Sequence, residues 1–189
     1  MQSIEGLITP FIESVASGRT EIHSESSLQH ELGLSLRETL PHCKLRFEQN
    51  VSSLFPSKTP FTKREIDISI FSQDLKELEY AIELKFPRNG QYPEQMFSFC
   101  KDIAFAEELS VAGFCVAGLV IFADDHLFYS GRSEGIYGFF RGGTPLSGRI
   151  QKPTGGKDTE TSIRGKYVVQ WKPVVGLLKY TVIEVKSGD

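Results

Sequence analysis

Two short alternating segments constrain this chain more than anything else in it. Residues 65–71 and 79–86 place apolar side chains at every second position, on either side of the polar turn Ser72-Gln73-Asp74-Leu75-Lys76-Glu77. A period of two marks strands whose two faces differ, and a polar turn between two such runs predicts an antiparallel hairpin. On the first strand Ile66, Ile68 and Ile70 share one face, while Glu65, Asp67 and Ser69 take the other. On the second, Ile82, Leu84 and Phe86 face away from Ala81, Glu83 and Lys85. With the turn centred near Leu75, the numbers of facing residues sum to about 150, which sets Asp67 across from Glu83.

The elements around the hairpin can be read in the same way. Residues 4–16 carry Ile4, Leu7, Ile8, Phe11, Ile12 and Val15 at helical spacing despite Pro10, and Gly18 ends the run. A second helix is predicted over 24–40, with Leu28, Leu32, Leu36 and Leu40 on one stripe and Pro41 closing it. Ser24 suits its N-cap, and Glu25 its first turn. Leu45 and Phe47 alternate with Arg46 and Glu48 as a strand over 45–49, and 51–62, with Pro56 and Pro60, reads as a loop. Another loop, 87–92, contains Asn89-Gly90. Pro93 then opens a helix with Met96, Phe99, Cys100, Ile103 and Ala106 on its inner stripe. The apolar stretch 114–122 predicts a strand covered on both faces. Beyond it the expectations are a short helix within 131–141, a mobile loop over 142–161, and closing strands over 167–171 and 180–185.

That order predicts an α/β fold, a mixed central sheet flanked by helices. At 189 residues the chain reads as one domain. It divides into an N-terminal helix (1–23), a core (24–122) and a C-terminal extension (123–189). The longest apolar run, 111–123, is too short to cross a bilayer as a helix, and the first residues carry no basic region before an apolar stretch. A soluble cytoplasmic protein without a membrane partner is expected. Cys43, Cys100 and Cys115 lack the spacing of a disulfide framework or zinc cluster, and Cys100 and Cys115 read as small core residues. The four histidines show no paired spacing, Thr154-Gly155-Gly156-Lys157-Asp158 lacks the residues of a phosphate loop, and no G-x-S-x-G occurs. Net charge is -3, yet residues 141–172 hold seven basic and two acidic side chains. That segment is either a phosphate-facing surface or a solvated loop.

The hairpin is where chemistry enters. Two carboxylates facing each other repel unless something compensates them, and a divalent cation does so. Hard ions such as Mg2+ take carboxylate and carbonyl oxygens together with retained waters. Lys85, two residues beyond Glu83, points to the same side and can stabilise developing negative charge. The same pattern also fits a hairpin whose polar face meets water, with Lys85 pairing a nearby acid.

Helix, three strands, helix and strand, with Asp67 on the second strand and Glu83-Leu84-Lys85 on the third, resembles the PD-(D/E)XK nuclease superfamily over residues 24–122. The resemblance implies a restriction-endonuclease-like αβββαβ core and a Mg2+-dependent nuclease, with Mn2+ as substitute. It makes Asp67, Glu83 and the Leu84 carbonyl the metal ligands, and Lys85 the residue that helps activate water. An acid on the first core helix often completes such sites. Glu25 matches that position best, with Glu31 next. Ile66 stands where the name-giving proline would be. Gln95 and Phe99 resemble the glutamine and aromatic that some members carry on the following helix. Arg64, Arg88 and Lys101 are candidate phosphate contacts beside the site, or ordinary surface charges, and Glu48 on the first strand can approach it. The implied partner is nucleic acid, DNA foremost, with a homodimer as one way to cut both strands. Two rivals share the fold: a binding or adaptor module without catalysis, and an RNA-directed nuclease.

Overall fold

The computed structural model describes residues 1–57, 61–88, 90–154 and 159–186. Helix α1 (Ile4–Ala16) buries Ile4, Leu7, Ile8, Phe11 and Val15, and Pro10 lies on its exposed side. Helix α2 (Glu25–Thr39) starts at Ser24, whose hydroxyl accepts from Ser27 N–H at 3.1 Å while the Ser27 hydroxyl accepts from Ser24 N–H at 2.9 Å. This reciprocal cap satisfies two of the N–H groups that a helix start leaves orphaned. Leu28, Leu32 and Leu36 turn inward beside α1.

Strands β1 (Cys43–Asn50), β2 (Glu65–Ser72) and β3 (Leu78–Lys85) form an antiparallel meander. A single helical turn, α3 (Val51–Leu54), interrupts the segment expected to be loop between the first two; residues 58–60 of that segment lie outside the described residues. Helix α4 (Tyr92–Ala112) crosses from β3 to β4 (Val116–Ala123), which pairs with β3 in parallel, as a crossover connection requires. Asn89, in the loop before α4, is not among the described residues. After β4 come a 3-10 turn (His126–Phe128), the short α5 (Tyr137–Arg141), β5 (Leu146–Gln151), β6 (Glu160–Tyr167), β7 (Lys172–Val175) and β8 (Leu178–Lys186). The six-stranded sheet runs β1-β2-β3-β4-β8-β7, and only its β3–β4 pair is parallel. This is the mixed α/β architecture that the pattern predicts.

The layers follow from the faces. Helices α1 and α2 cover Ile68, Ile70, Ile82, Leu84, Val120 and Phe122 on one side of the sheet. On the other, α4 and the β5–β6 hairpin cover Leu119, Ile121 and Ile183. Helix α4 is thus buried nearly all round, with Ala104, Phe105 and Ala106 in succession inaccessible, because it lies between the sheet and the hairpin.

The C-terminal extension departs most from expectation. The span 142–161 is not a loop throughout: it holds β5 and the start of β6, with residues 155–158 outside the described set. Its inward residues, Leu146, Ile150 and Ile163, are sparse, and a bulge between Leu146 and Gly148 breaks the period of two. Gly148 takes φ 74 there, a conformation that favours glycine. The closing strand expected over 167–171 is absent beyond its first residue: β6 ends at Tyr167 and β7 begins at Lys172. Ile66 joins Phe105 and Leu109 rather than the cluster of Ile68 and Ile70. Cys100 is buried as expected, whereas Cys115 is exposed. Among the described residues no helix is long and apolar enough to cross a membrane.

Gly118 marks the tightest approach in the sheet. A Cβ there would lie 2.6 Å from the Ile183 carbonyl oxygen and 2.7 Å from Ile4 Cδ1. The first contact is backbone of β8 and cannot swing aside. Gly118→Ala should therefore destabilise the fold by about 1–3 kcal/mol, measured by equilibrium denaturation.

Candidate functional site

The β2–β3 ladder has the expected register, Ile68↔Ile82, Ser69↔Ala81 and Ile70↔Tyr80. Past Ile68 the two strands part. The next inward donor, Leu84 N–H, goes to the Asp67 carboxylate (Oδ2, 2.7 Å) instead of to a β2 carbonyl. The β1 side is also irregular. Glu48 lies between the pairs Phe47↔Ile68 and Gln49↔Ile66, so it faces Asp67, and its φ is 48. The Gln29 side chain spans the break, donating to the Asp67 carbonyl (2.9 Å) and to Glu48 Oε1 (2.6 Å). A left-handed glutamate in mid-strand costs about 1–3 kcal/mol and persists where its surroundings over-determine it. The parted strands leave room for side chains where a continuous ladder would have none.

Glu83 fills that room from β3. The face it shares with Ala81 and Lys85 points toward α4, because Glu83 and Lys85 pair across the ladder with the α4-facing Leu119 and Ile121. Its carboxylate is fully buried, not a solvated strand acid. Oε1 accepts from Asp67 N–H at 3.4 Å, and Oε2 accepts from the Lys63 ammonium. Lys63 also donates to Asp102 Oδ1 (3.0 Å), an α4 residue 2% exposed. Burial, then the Asp67 charge, push the Glu83 carboxyl well above its ordinary value, with Lys63 opposing. Burial works against the charge on Lys63, yet Glu83 and Asp102 hold it protonated far above the usual lysine range.

Lys85 completes the group. Its ammonium donates to the Leu84 carbonyl (2.8 Å) and lies 3.5 Å from Glu25 Oε1 and 3.8 Å from Asp102 Oδ2. Burial disfavours its charge, but Asp102, Glu25 and Asp67 outweigh burial and raise its pKa. Glu25 arrives from the first turn of α2, where its Oε2 also accepts from Phe86 N–H (3.2 Å).

The structure therefore brings together Glu25, Asp67, Glu83, Leu84 and Lys85. Glu31 instead lies 3.1 Å from His30. Arg64 is exposed beside Lys63. Arg88 pairs with Asp124 at 2.5 Å, just beyond Phe86. Lys101 is exposed next to Asp102, and Gln95 is half-buried about two turns earlier on α4. Phe99 has no exposed surface and packs on Phe128 and Phe140, so it is a core ring and not a stacking platform. Two members of the cluster escaped the pattern analysis, Lys63 and Asp102. Asp102 had a signal, an acid embedded in the apolar stretch of α4, where burial without a partner is costly. Lys63 had none, since a lysine before a strand is ordinary.

The donor set suits a hard divalent cation. Around the parted strands stand four carboxyl groups (Glu25, Asp67, Glu83, Asp102) and two ammonium groups (Lys63, Lys85), so the acids outnumber the cations. Asp102 Oδ2 is buried without a hydrogen-bond partner among the described residues, with the Lys85 ammonium 3.8 Å away. An all-oxygen donor set is the kind that hard ions such as Mg2+ or Mn2+ prefer. Among the described residues no three acids, histidines or cysteines already converge as metal ligands; the Lys63 ammonium stands between Glu83 and Asp102. No family model, curated protein or solved structure matches the chain.

The Glu83 shift has a measurable sign. A carboxyl whose pKa is raised by folding stabilises the fold fully below its ordinary 4.5, and that contribution is lost as pH rises toward the folded value. In chelator, the Tm should fall between mildly acidic and mildly alkaline pH. Glu83→Gln should flatten that slope, and an unchanged slope in the variant would show that Glu83 is not its source.

Proposed function

We propose that this protein is a cytoplasmic Mg2+-dependent nuclease that hydrolyses phosphodiester bonds, DNA foremost. One observation carries the reading: Asp67, Glu83, the Leu84 carbonyl and Lys85 meet where β2 and β3 part, in a buried cluster that is short of positive charge. The resemblance of this strand pair and its flanking helices to the PD-(D/E)XK nucleases supports the same assignment. Asp67, Glu83 and the Leu84 carbonyl would hold the ion. When bound, Mg2+ lowers the pKa of a water and neutralises phosphate charge.

The remaining roles belong to the side chains. Asp67 is oriented by the Leu84 N–H it accepts, and Glu83 by the Asp67 N–H, so the two acids brace each other through backbone donors. Lys85 stays an ammonium, held against the Leu84 carbonyl and steadied by Glu25. From there it can orient an attacking water and stabilise charge building on the phosphate oxygens. Exposed Arg64, Arg88 and Lys101 offer phosphate contacts. The basic β5–β6 hairpin lies on the same side of the sheet as Glu83 and gives a backbone a route to it despite the net charge of -3. A binding module without catalysis is the rival reading, favoured by the ion pairs through which Lys63 closes Glu83 and Asp102.

Incubation of plasmid, single-stranded DNA and RNA with Mg2+ and with chelator separates these readings. Cleavage should require the ion. Asp67→Asn, Glu83→Gln and Lys85→Met should each lower it by about a hundredfold or more, with circular dichroism unchanged. Cleavage by Glu83→Gln at the wild-type rate, or none by the wild type on any substrate, would remove the nuclease assignment.

A further inference from the structure

Two groups at the bottom of the cluster are not explained by the roles given above. Asp102 is 2% exposed, and its Oδ2 has no hydrogen-bond partner among the described residues although it faces Lys85 Nζ at 3.8 Å. Lys63 reaches in from the segment before β2 and sets its ammonium against both Glu83 and Asp102. One ammonium thus stands between two buried carboxyl groups.

We propose that Asp102 is a further carboxylate of the divalent-cation site, and that the Lys63 ammonium is an internal place-holder which the cation displaces. This rests on the nuclease reading only in that it uses the same cluster. Three observations support it. An ammonium and a divalent cation seek the same hard oxygens, so the position that satisfies Lys63 between Glu83 and Asp102 is one a metal ion would favour more strongly. Asp102 keeps one oxygen unused at that position, which Lys63 does not satisfy but an ion of higher coordination number can. Lys63 also has an exit: its side chain is 29% exposed, whereas those of Glu83 and Asp102 are 1% and 3% exposed. Its ammonium lies 5.6 Å from the centre of the Phe105 ring, and its neighbour Thr62 is tied to Glu108 by bonds of 2.9 and 3.0 Å, so the side chain can swing outward while the backbone stays anchored.

The place-holder has a specific consequence. It keeps Glu83 and Asp102 compensated before the ion arrives, and it makes metal affinity weaker than the carboxylates alone would give. The test is Mn2+ binding, read as loss of the free-ion EPR signal and as the Tm gained with added Mn2+, in the wild type, Lys63→Gln, Asp102→Asn and Glu83→Gln. Lys63→Gln should bind Mn2+ about tenfold more tightly and gain more Tm from it than the wild type. Asp102→Asn should bind about tenfold or more weakly while remaining folded by circular dichroism. Lys63→Gln leaves every carboxylate in place, so it decides the matter alone if Asp102→Asn does not fold. Unchanged or weaker binding by Lys63→Gln, or unchanged binding by Asp102→Asn, overturns the proposal. If Glu83→Gln alone loses Mn2+, this inference fails and the metal-dependent reading stands. If neither the wild type nor Lys63→Gln binds Mn2+, both fail.

Discussion

A carboxylate with no exposed surface stands in the middle of the sheet, and the elements around Glu83 are placed so that it is answered. An unpaired buried carboxylate is among the most expensive groups a fold can contain. Here the Asp67 N–H, the Lys63 ammonium and a neighbouring acid close around it. The arrangement exists because β2 and β3 separate after Ile68↔Ile82, and two continuous strands would have left neither the space nor the free Leu84 N–H. The irregular Glu48 on β1 and the Gln29 bridge belong to the same break.

The supporting fold explains why the break is tolerated. Apolar layers lie on both faces of the sheet, α1 and α2 on one and α4 with the β5–β6 hairpin on the other. The hairpin is fastened to α4 by a second buried acid, Glu107, which accepts from Arg164 and Gly165 N–H and from the Tyr167 hydroxyl. Helix α4 thus carries two buried carboxylates with opposite circumstances. Glu107 is saturated with donors and acts as a fastening. Asp102 has one oxygen, Oδ2, without a hydrogen-bond donor among the described residues. That contrast, on one helix, separates a structural acid from a candidate functional one more clearly than position in the sequence could.

Electrostatics divide the labour in a similar way. The cluster is rich in buried acids, while Arg64 and Lys101, each next in sequence to a member of it, are exposed, as are Arg149 and Arg164 on the hairpin.

Local pattern was enough for much of this molecule. The 3.6 spacing of α1 and α2, the alternation of β2 and β3, the Ser24 cap and the β2–β3 register at Ile68↔Ile82 could be read directly. Each depends on neighbours within a few residues or across one tight turn. Glu25, Asp67, Glu83 and Lys85 were legible for the same reason: they sit at fixed steps on those elements. The β5–β6 hairpin was not, because a bulge at Gly148 destroys its period and its stability comes from packing on α4, a distant part of the chain. Lys63 and Asp102 were not, because what distinguishes them is a meeting across 39 positions of sequence. Burial, and the partner that answers a buried charge, are properties of the assembled layers, so only the tertiary structure could decide them.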